Sequence, residues 1–138
     1  MKKIIALAAV AAGIVAVSSC CRKVDISGEW TVNEVNGETL PALLEGQEGP
    51  FLSFDAVEGK MHGNTGVNII NSTYTLKGKK LELGPAMSTM MAGPQEWMEA
   101  ESKILGALGN VRTVKPVDEI NLELCDSTGT AIISLVRK

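Results

Sequence analysis

From Ile26 onward the chain consists of short stretches in which hydrophobic and polar residues alternate, separated by Gly, Asn and Asp. Alternation with a period of two is typical of strands that bury one face, and Asn36-Gly37 is a favoured tight-turn pair. The pattern predicts eight strands, at residues 26–35, 51–56, 60–63, 68–76, 80–83, 111–115, 120–125 and 131–136. Eight short strands permit closure, so the predicted fold class is mainly β, a compact antiparallel barrel-like curled sheet.

One stretch departs from this alternation and predicts a single packed helix over residues 94–109. Apolar residues recur there at spacings of three and four, which is typical of a helix with one buried face: Trp97, Ile104, Leu105 and Leu108. Pro94 suits the first turn, and Gly109-Asn110 suits the end. Residues 40–49 fit either a short helical turn or an irregular loop.

Glu101 falls on the apolar face of this predicted helix, between Trp97 and Ile104. An unpaired buried carboxylate is costly, so we expect Glu101 to accept hydrogen bonds, for example from Ser88 or Thr89. We favour a polar clamp that fixes the helix. The alternative is a general acid or base.

The first twenty residues carry a pattern of their own. Lys2-Lys3 precede an apolar run that is too short to span a bilayer as a stable helix, and Val17-Ser18-Ser19-Cys20 follows. This order is typical of a bacterial lipoprotein signal. We predict a signal peptide over residues 1–19, lipidation of Cys20, a tether over residues 20–25 and a domain over residues 26–138. A soluble export signal or an N-terminal anchor helix is the alternative.

The charge of the chain argues against one class of function, nucleic-acid binding. Without Lys2 and Lys3 the mature chain keeps 11 of its 13 basic residues against 16 acidic ones, a formal charge of −5. Such a chain is not expected to bind nucleic acid, and its one basic cluster, Lys77-Gly78-Lys79-Lys80, predicts a hairpin tip. We expect a monomeric, periplasm-facing envelope protein anchored in the membrane through Cys20. The outer membrane is slightly preferred, because no aspartate follows Cys20.

Three cysteines are present, and they do not form an even framework. Cys20 is predicted to carry lipid, and Cys21 lies in the tether. Cys125 ends a predicted strand, so we expect a small buried apolar side chain. A Cys21–Cys125 bridge or an intermolecular disulfide is the alternative.

A set of residues in fixed order resembles the META domain family, which includes the heat-shock protein HslJ. The residues that carry the resemblance are Gly28, Trp30, Phe54-Asp55, Gly63, Gly66, Asn68, Tyr74, Thr89-Met90-Met91-Ala92 and Pro94. The resemblance runs from Ile26 to the C-terminus and is most specific at Gly66-x-Asn68 and Thr89-Met90-Met91-Ala92. It implies a small envelope protein, often a lipoprotein, with a curled antiparallel sheet and one helix. It also implies a stress-related or protein-interaction role, with Glu101 and these motif residues in structural positions.

Two positions depart from the family pattern. Many members carry cysteine where this chain has Val67 and Gly93. The two cysteines are absent together. The resemblance therefore implies that they form a disulfide in the members that have them. Val67 is then expected to recover part of the lost stability through burial.

Other candidate chemistry is sparse. His62 is the only histidine and is expected to be structural or exposed. Four methionines lie close in sequence where the helix must pack, so we expect core packing, with a cuprous site as the alternative: Met87, Met90, Met91 and Met98.

The function expected from these observations is a non-catalytic lipoprotein with an unidentified envelope protein partner and no cofactor. The first alternative is a lipocalin-like carrier of a small apolar ligand inside the barrel. The second is an envelope enzyme, which would need at least two of Asp55, His62, Glu101 and Asp118 in one cleft.

Overall fold

A computed structural model of the protein describes residues 24–138. The predicted signal peptide, Cys20 and Cys21 lie outside the described residues. Within them the chain forms ten strands and one helix: β1 (Gly28–Val35), β2 (Glu38–Thr39), β3 (Phe51–Asp55), β4 (Lys60–Asn64), β5 (Ile69–Lys77), β6 (Lys80–Leu83), β7 (Met87–Ser88), α1 (Gln95–Asn110), β8 (Thr113–Pro116), β9 (Asn121–Cys125) and β10 (Ala131–Arg137).

Eight of the strands form a closed antiparallel barrel. Their order is β1-β3-β4-β5-β6-β8-β9-β10, and β10 pairs back with β1, with Trp30 opposite Arg137 and Val35 opposite Ile133. Strand β2 turns back and pairs with the end of β1, and β7 pairs with the start of β5. The predicted mainly β barrel with one helix is therefore confirmed.

Alternate residues of each strand fill the barrel. In β1 the buried residues are Trp30, Val32 and Val35, because a bulge between Val32 and Glu34 shifts the alternation by one residue. In the β5–β6 hairpin, Tyr74 faces Leu83 and Leu76 faces Leu81, as the alternation predicts. The strand residues of the core form one buried cluster: Trp30, Val32, Val35, Leu52, Phe54, Met61, Ile70, Tyr74, Leu81, Val114, Leu122, Leu124, Ile133 and Leu135.

Helix α1 follows the prediction within one residue. Pro94 is its N-cap rather than its first residue, and its carbonyl accepts the amides of Trp97 and Met98. The buried face is wider than predicted because it includes two alanines, while Leu105 is only half-buried at its margin: Trp97, Ala100, Glu101, Ile104, Ala107 and Leu108. Residues 40–50 form an irregular loop, which settles the ambiguity left by the sequence.

The antiparallel order gives the barrel two distinct ends. One end, which we call the lower end, carries residues 24–27, the turns at residues 56–59, 78–79 and 117–120, and Lys138. The other end, which we call the upper end, carries residues 40–50, 65–68 and 84–94 together with α1. Across residues 24–138, α1 is too short and too polar to cross a bilayer.

The methionine cluster does not pack in the core as expected. Met87, Met90 and Met91 are exposed, and only Met98 is half-buried. The reason is that β7 pairs with the start of β5, where Met87 lies opposite the exposed Asn71. Met87 therefore lies on the outer face of the sheet, and Met90 and Met91 follow in the exposed segment after β7.

Candidate functional site

Glu101 lies at the centre of a buried polar cluster at the upper end of the barrel. Its Oε2 accepts a hydrogen bond from the Thr65 hydroxyl at 2.6 Å and from Asn68 Nδ2 at 2.8 Å. Its Oε1 accepts from the same Asn68 nitrogen at 3.1 Å. Thr65, Asn68 and Glu101 are the polar side chains buried within residues 24–138. The predicted burial of Glu101 and its role as an acceptor agree with this geometry.

Asn68 connects three segments of the chain. Its Oδ1 accepts from the Thr89 hydroxyl at 2.8 Å and from the Met91 amide at 2.6 Å. Its Nδ2 donates to the Met91 carbonyl at 3.1 Å as well as to Glu101. One amide therefore joins the loop before β5, the segment after β7 and the helix, which explains why Gly66-x-Asn68 and the Thr89 motif occur together.

The donors to Glu101 differ from those expected. Thr89 reaches Glu101 only through Asn68, and neither Thr89 nor Ser88 donates to it. Thr65 was missed altogether, since its sequence context, Gly63-Asn64-Thr65-Gly66, predicts only a tight connection between strands. No pattern in the sequence distinguishes a buried turn hydroxyl from an exposed one.

Gly66 and Trp97 fix the position of the helix over this cluster. Gly66 has φ +99°, and a Cβ atom built on it would lie 2.5 Å from the Trp97 ring. The Gly66 carbonyl accepts from Gln47 Nε2 at 3.1 Å, and Trp97 Nε1 donates to the Ala42 carbonyl at 3.3 Å. A side chain at position 66 would displace the indole, so this position requires glycine.

The remaining motif residues serve the barrel itself. Trp30 Nε1 donates to the Ile26 carbonyl at 2.9 Å, and the Arg137 guanidinium lies 4.1 Å from the ring centroid. Gly28 has φ +106°, and a Cβ on Gly63 would overlap the Phe51 carbonyl. Burial raises the pKa of Tyr74, whose ring packs edge-on against Phe54 at 5.1 Å between centroids.

Val67 and Gly93 lie side by side, as the resemblance implies for the two cysteine positions. A Cβ built on Gly93 would lie 3.2 Å from both Val67 methyl groups. Val67 is only half-buried. Its burial is therefore expected to contribute less than a disulfide at this place would.

The candidate catalytic residues lie apart. Asp55 and Asp118 belong to turns at the lower end, where their carboxylates accept backbone amides of Val57, Glu58, Ile120 and Asn121. Hydrogen bonds from the Asn121 side chain and nearby amides lower the pKa of Asp118. His62 lies exposed on the outer face of β4, edge-on to Phe51. Glu101 is buried at the other end of the barrel.

Metal and thiol chemistry are equally limited in the described part of the chain. Residues 24–138 contain no group of three or more His, Cys, Asp or Glu side chains placed to hold a metal ion. Cys125 is buried, as predicted, and this burial raises the pKa of its thiol. Every buried side-chain nitrogen and oxygen between Val24 and Lys138 has a hydrogen-bond partner.

Comparisons with known proteins give one matching family model and solved structures of similar fold. The model of the META domain family matches residues 24–138. A protein from Burkholderia xenovorans solved by NMR is 21% identical, with a TM-score of 0.63 over 81% of this chain and 82% of that one. A DUF4847 family protein from Bacteroides vulgatus, solved by crystallography, is 15% identical, with a TM-score of 0.57 over 81% of this chain and 93% of that one. At these identities the similarity concerns the fold. A comparison with curated proteins found no match.

Proposed function

Because the chain belongs to the META domain family, we propose that it is a membrane-anchored envelope lipoprotein whose domain binds a protein partner without catalysis. The stress-related side of this role rests on the family resemblance. The lipid anchor rests on the Val17-Ser18-Ser19-Cys20 pattern. A diacylglyceryl group on Cys20, at about 0.8 kcal/mol per buried methylene, holds such a protein stably in a membrane.

The observation that carries this proposal is that Val24 and helix α1 lie at opposite ends of the barrel. Val24 packs against the core at the lower end, between the turn that contains Ala56 and the turn that contains Asp118. Helix α1 and the Asn68 cluster lie at the upper end. A lipid on Cys20 therefore turns the lower end toward the membrane and directs the upper end into the periplasm.

An exposed apolar surface lies at this upper end. We define the methionine surface as Ile69, Met87, Met90 and Met91, all of which are exposed, with Met90 93% exposed. Ile69 exchanges hydrogen bonds with Thr89, and Met87 lies opposite Asn71, two residues along the strand from Ile69. The neighbouring segments are thus held together.

Such a surface suits a protein partner. Contiguous exposed apolar side chains mark interaction sites, and methionine adapts to partners of different shape. The Asn68 side chain holds both the amide and the carbonyl of Met91, so the backbone beneath the surface is fixed while the side chains remain free to repack. The Glu101 cluster then serves to present this surface.

A photo-crosslinking amino acid at position 90, introduced in intact cells, tests the proposal. We expect a discrete adduct from position 90 that disappears when Met87 and Met91 are both replaced by Lys. The matched control places the probe at Glu82, an exposed position on β6 outside the methionine surface, and is expected to give no such adduct. Equal adducts from positions 90 and 82 would contradict a specific partner.

A carrier function is the second candidate, and one cleft favours it. The barrel interior is filled by the core, but an open cleft of about 500 Å³ lies between α1 and the β6–β7 segment. Its lining is largely apolar and includes Leu83, Pro85, Leu105 and Val111. Native mass spectrometry of the protein purified from membranes tests it: a bound lipid that is lost in Leu105→Lys would support a carrier.

A further inference from the structure

Three exposed aliphatic side chains lie on turns at the lower end of the barrel. Val57 is 96% exposed on the β3–β4 turn, and Val117 and Ile120 are 55% and 56% exposed on the β8–β9 turn. Each of these turns is held by an aspartate, since Asp55 accepts the Val57 amide at 3.0 Å and Asp118 accepts the Ile120 amide at 2.9 Å. The aliphatic groups are thus presented to the outside by rigid turns.

The third turn at this end is basic. Lys77 and Lys79 flank Gly78, and Lys80 follows within 3.5 Å of Glu82. Lysines beside aliphatic side chains are typical of a surface that meets anionic lipid headgroups. Glu29 and Glu82 pair with Lys138 and Lys80, and the other acidic side chains at this end are Asp25, Asp55, Glu58, Asp118 and Glu119.

Because of these acidic groups, the aliphatic side chains rather than the lysines provide the main contribution to membrane binding. Asp25, Asp55 and Asp118 are each engaged by hydrogen bonds within their own turns. Glu58 lies 3.7 Å from Lys60, and Glu119 adds a negative charge beside Ile120. These hydrogen bonds leave the carboxylates charged, so the five acidic side chains stand against Lys60, Lys77, Lys79 and Arg137. The charge of the lower end is therefore nearly balanced, and it neither strongly repels nor strongly attracts a bilayer.

The tether limits how far this end can be from lipid. Only Cys21, Arg22 and Lys23 separate Cys20 from Val24. Four residue steps span at most about 14 Å even when fully extended, which is close to the depth of a headgroup layer plus its counterions. Arg22 and Lys23 add two positive charges to this short connection.

We propose that the lower end is a membrane-docking surface, in which Val57, Val117 and Ile120 insert into the lipid interface and Lys77 and Lys79 meet anionic headgroups. This inference rests on the proposed acylation of Cys20. It adds a direct contact to the orientation proposed above: the barrel stands on its lower end, with Val57, Val117 and Ile120 in the lipid interface and the methionine surface pointing away from it. The short tether makes the contact intramolecular in effect, so a few aliphatic side chains are enough to hold it.

Environment-sensitive fluorescence on the acylated full-length protein tests this orientation. A nitrobenzoxadiazole label on Val57→Cys, in a Cys21→Ser background, is read in vesicles of phosphatidylethanolamine and phosphatidylglycerol. We expect a blue-shifted emission that is quenched by doxyl-labelled lipid, and a water-like emission from the same label on Met90→Cys. Replacing both Val117 and Ile120 by Asp is expected to abolish the blue shift at position 57.

A matched control and two contrary outcomes distinguish a failure of the docking surface from a failure of the lipid anchor. Replacing Leu43 and Leu44 by Asp alters two exposed aliphatic residues at the upper end and is expected to leave the signal at position 57 unchanged. Protein that floats with the vesicles but gives a water-like signal at position 57 overturns the docking surface alone. Protein that carries no lipid and fails to float overturns both proposals.

Discussion

A Cβ atom built on Gly93 lies 3.8 Å from Cβ of Val67, a separation typical of the two Cβ atoms of a disulfide. Gly93 is not among the glycines with positive φ, so its backbone accepts a side chain. The chain therefore keeps the geometry of a bridge while lacking both of the cysteines that would form one.

We predict that the double variant Val67→Cys, Gly93→Cys oxidises spontaneously and raises the melting temperature. The bridge would close a loop of about 25 residues and contribute roughly 3–4 kcal/mol in the chain-entropy model. Thiol titration and thermal unfolding with and without reductant measure both effects. Each single variant serves as a control that retains a free thiol. Two free thiols in the oxidised double variant would show that the two positions do not face each other.

Replacing Asn68 by Asp places a second carboxyl group about where Asn68 Nδ2 now lies, 2.8 Å from Glu101. Two carboxylates at this distance cannot both ionise cheaply, so the pKa of one is raised in the folded state. The folded variant then binds a proton that the unfolded chain releases, and its stability falls as the pH rises from about 4 toward 7. Urea unfolding at several pH values measures this slope. Asn68→Ala removes the same hydrogen bonds without adding a second carboxyl group, so its stability should depend less steeply on pH than that of Asn68→Asp.

Alanine at two glycines is expected to have opposite effects. Gly66→Ala forces a side chain into a left-handed backbone and against the Trp97 ring, which should cost about 2 kcal/mol or more. Gly106→Ala lies in α1, where a Cβ would meet nothing within 4 Å, and should stabilise the protein by about 0.5–1 kcal/mol. Chemical denaturation compares the two variants. Equal effects would mean that the contact between residues 66 and 97 is not present.

The methionines should differ in their rates of oxidation by peroxide in the folded protein. Met87, Met90 and Met91 are exposed, whereas Met61 is 1% exposed inside the barrel. We expect sulfoxide at the first three well before Met61, measured by peptide mass spectrometry. Oxidation of Met61 at the same rate as Met90 would contradict the burial of β4.

Much of the fold could be predicted because each barrel strand buries one face. The alternation in residues 68–76 and 80–83 predicted both strands of the β5–β6 hairpin. It could not predict β2 and β7, because two residues show no period. The number of strands indicated that the sheet could close, but not that β1 and β10 form the closing pair, because that pair joins residues about a hundred positions apart.

The buried cluster could be predicted only in part. Glu101 was identifiable because its position on the apolar stripe depends on helix geometry alone. Thr65 and Asn68 were not identifiable as its partners, because a contact between the loop before β5 and α1 depends on tertiary packing. The exposure of Met90 could not be predicted for a similar reason. An apolar side chain is expected to be buried, and only the path of the chain after β7 shows that Met90 is exposed.

The most direct test of the lipid anchor is the mass of the N-terminal peptide of the protein extracted from bacterial membranes. Trypsin should release a peptide that begins at Cys20 and ends at Arg22, since Arg22 is the first cleavage site after the lipid. The account predicts a thioether-linked diacylglyceryl group on Cys20. A chain that still begins at Met1, or that begins near Cys20 without lipid, would contradict it.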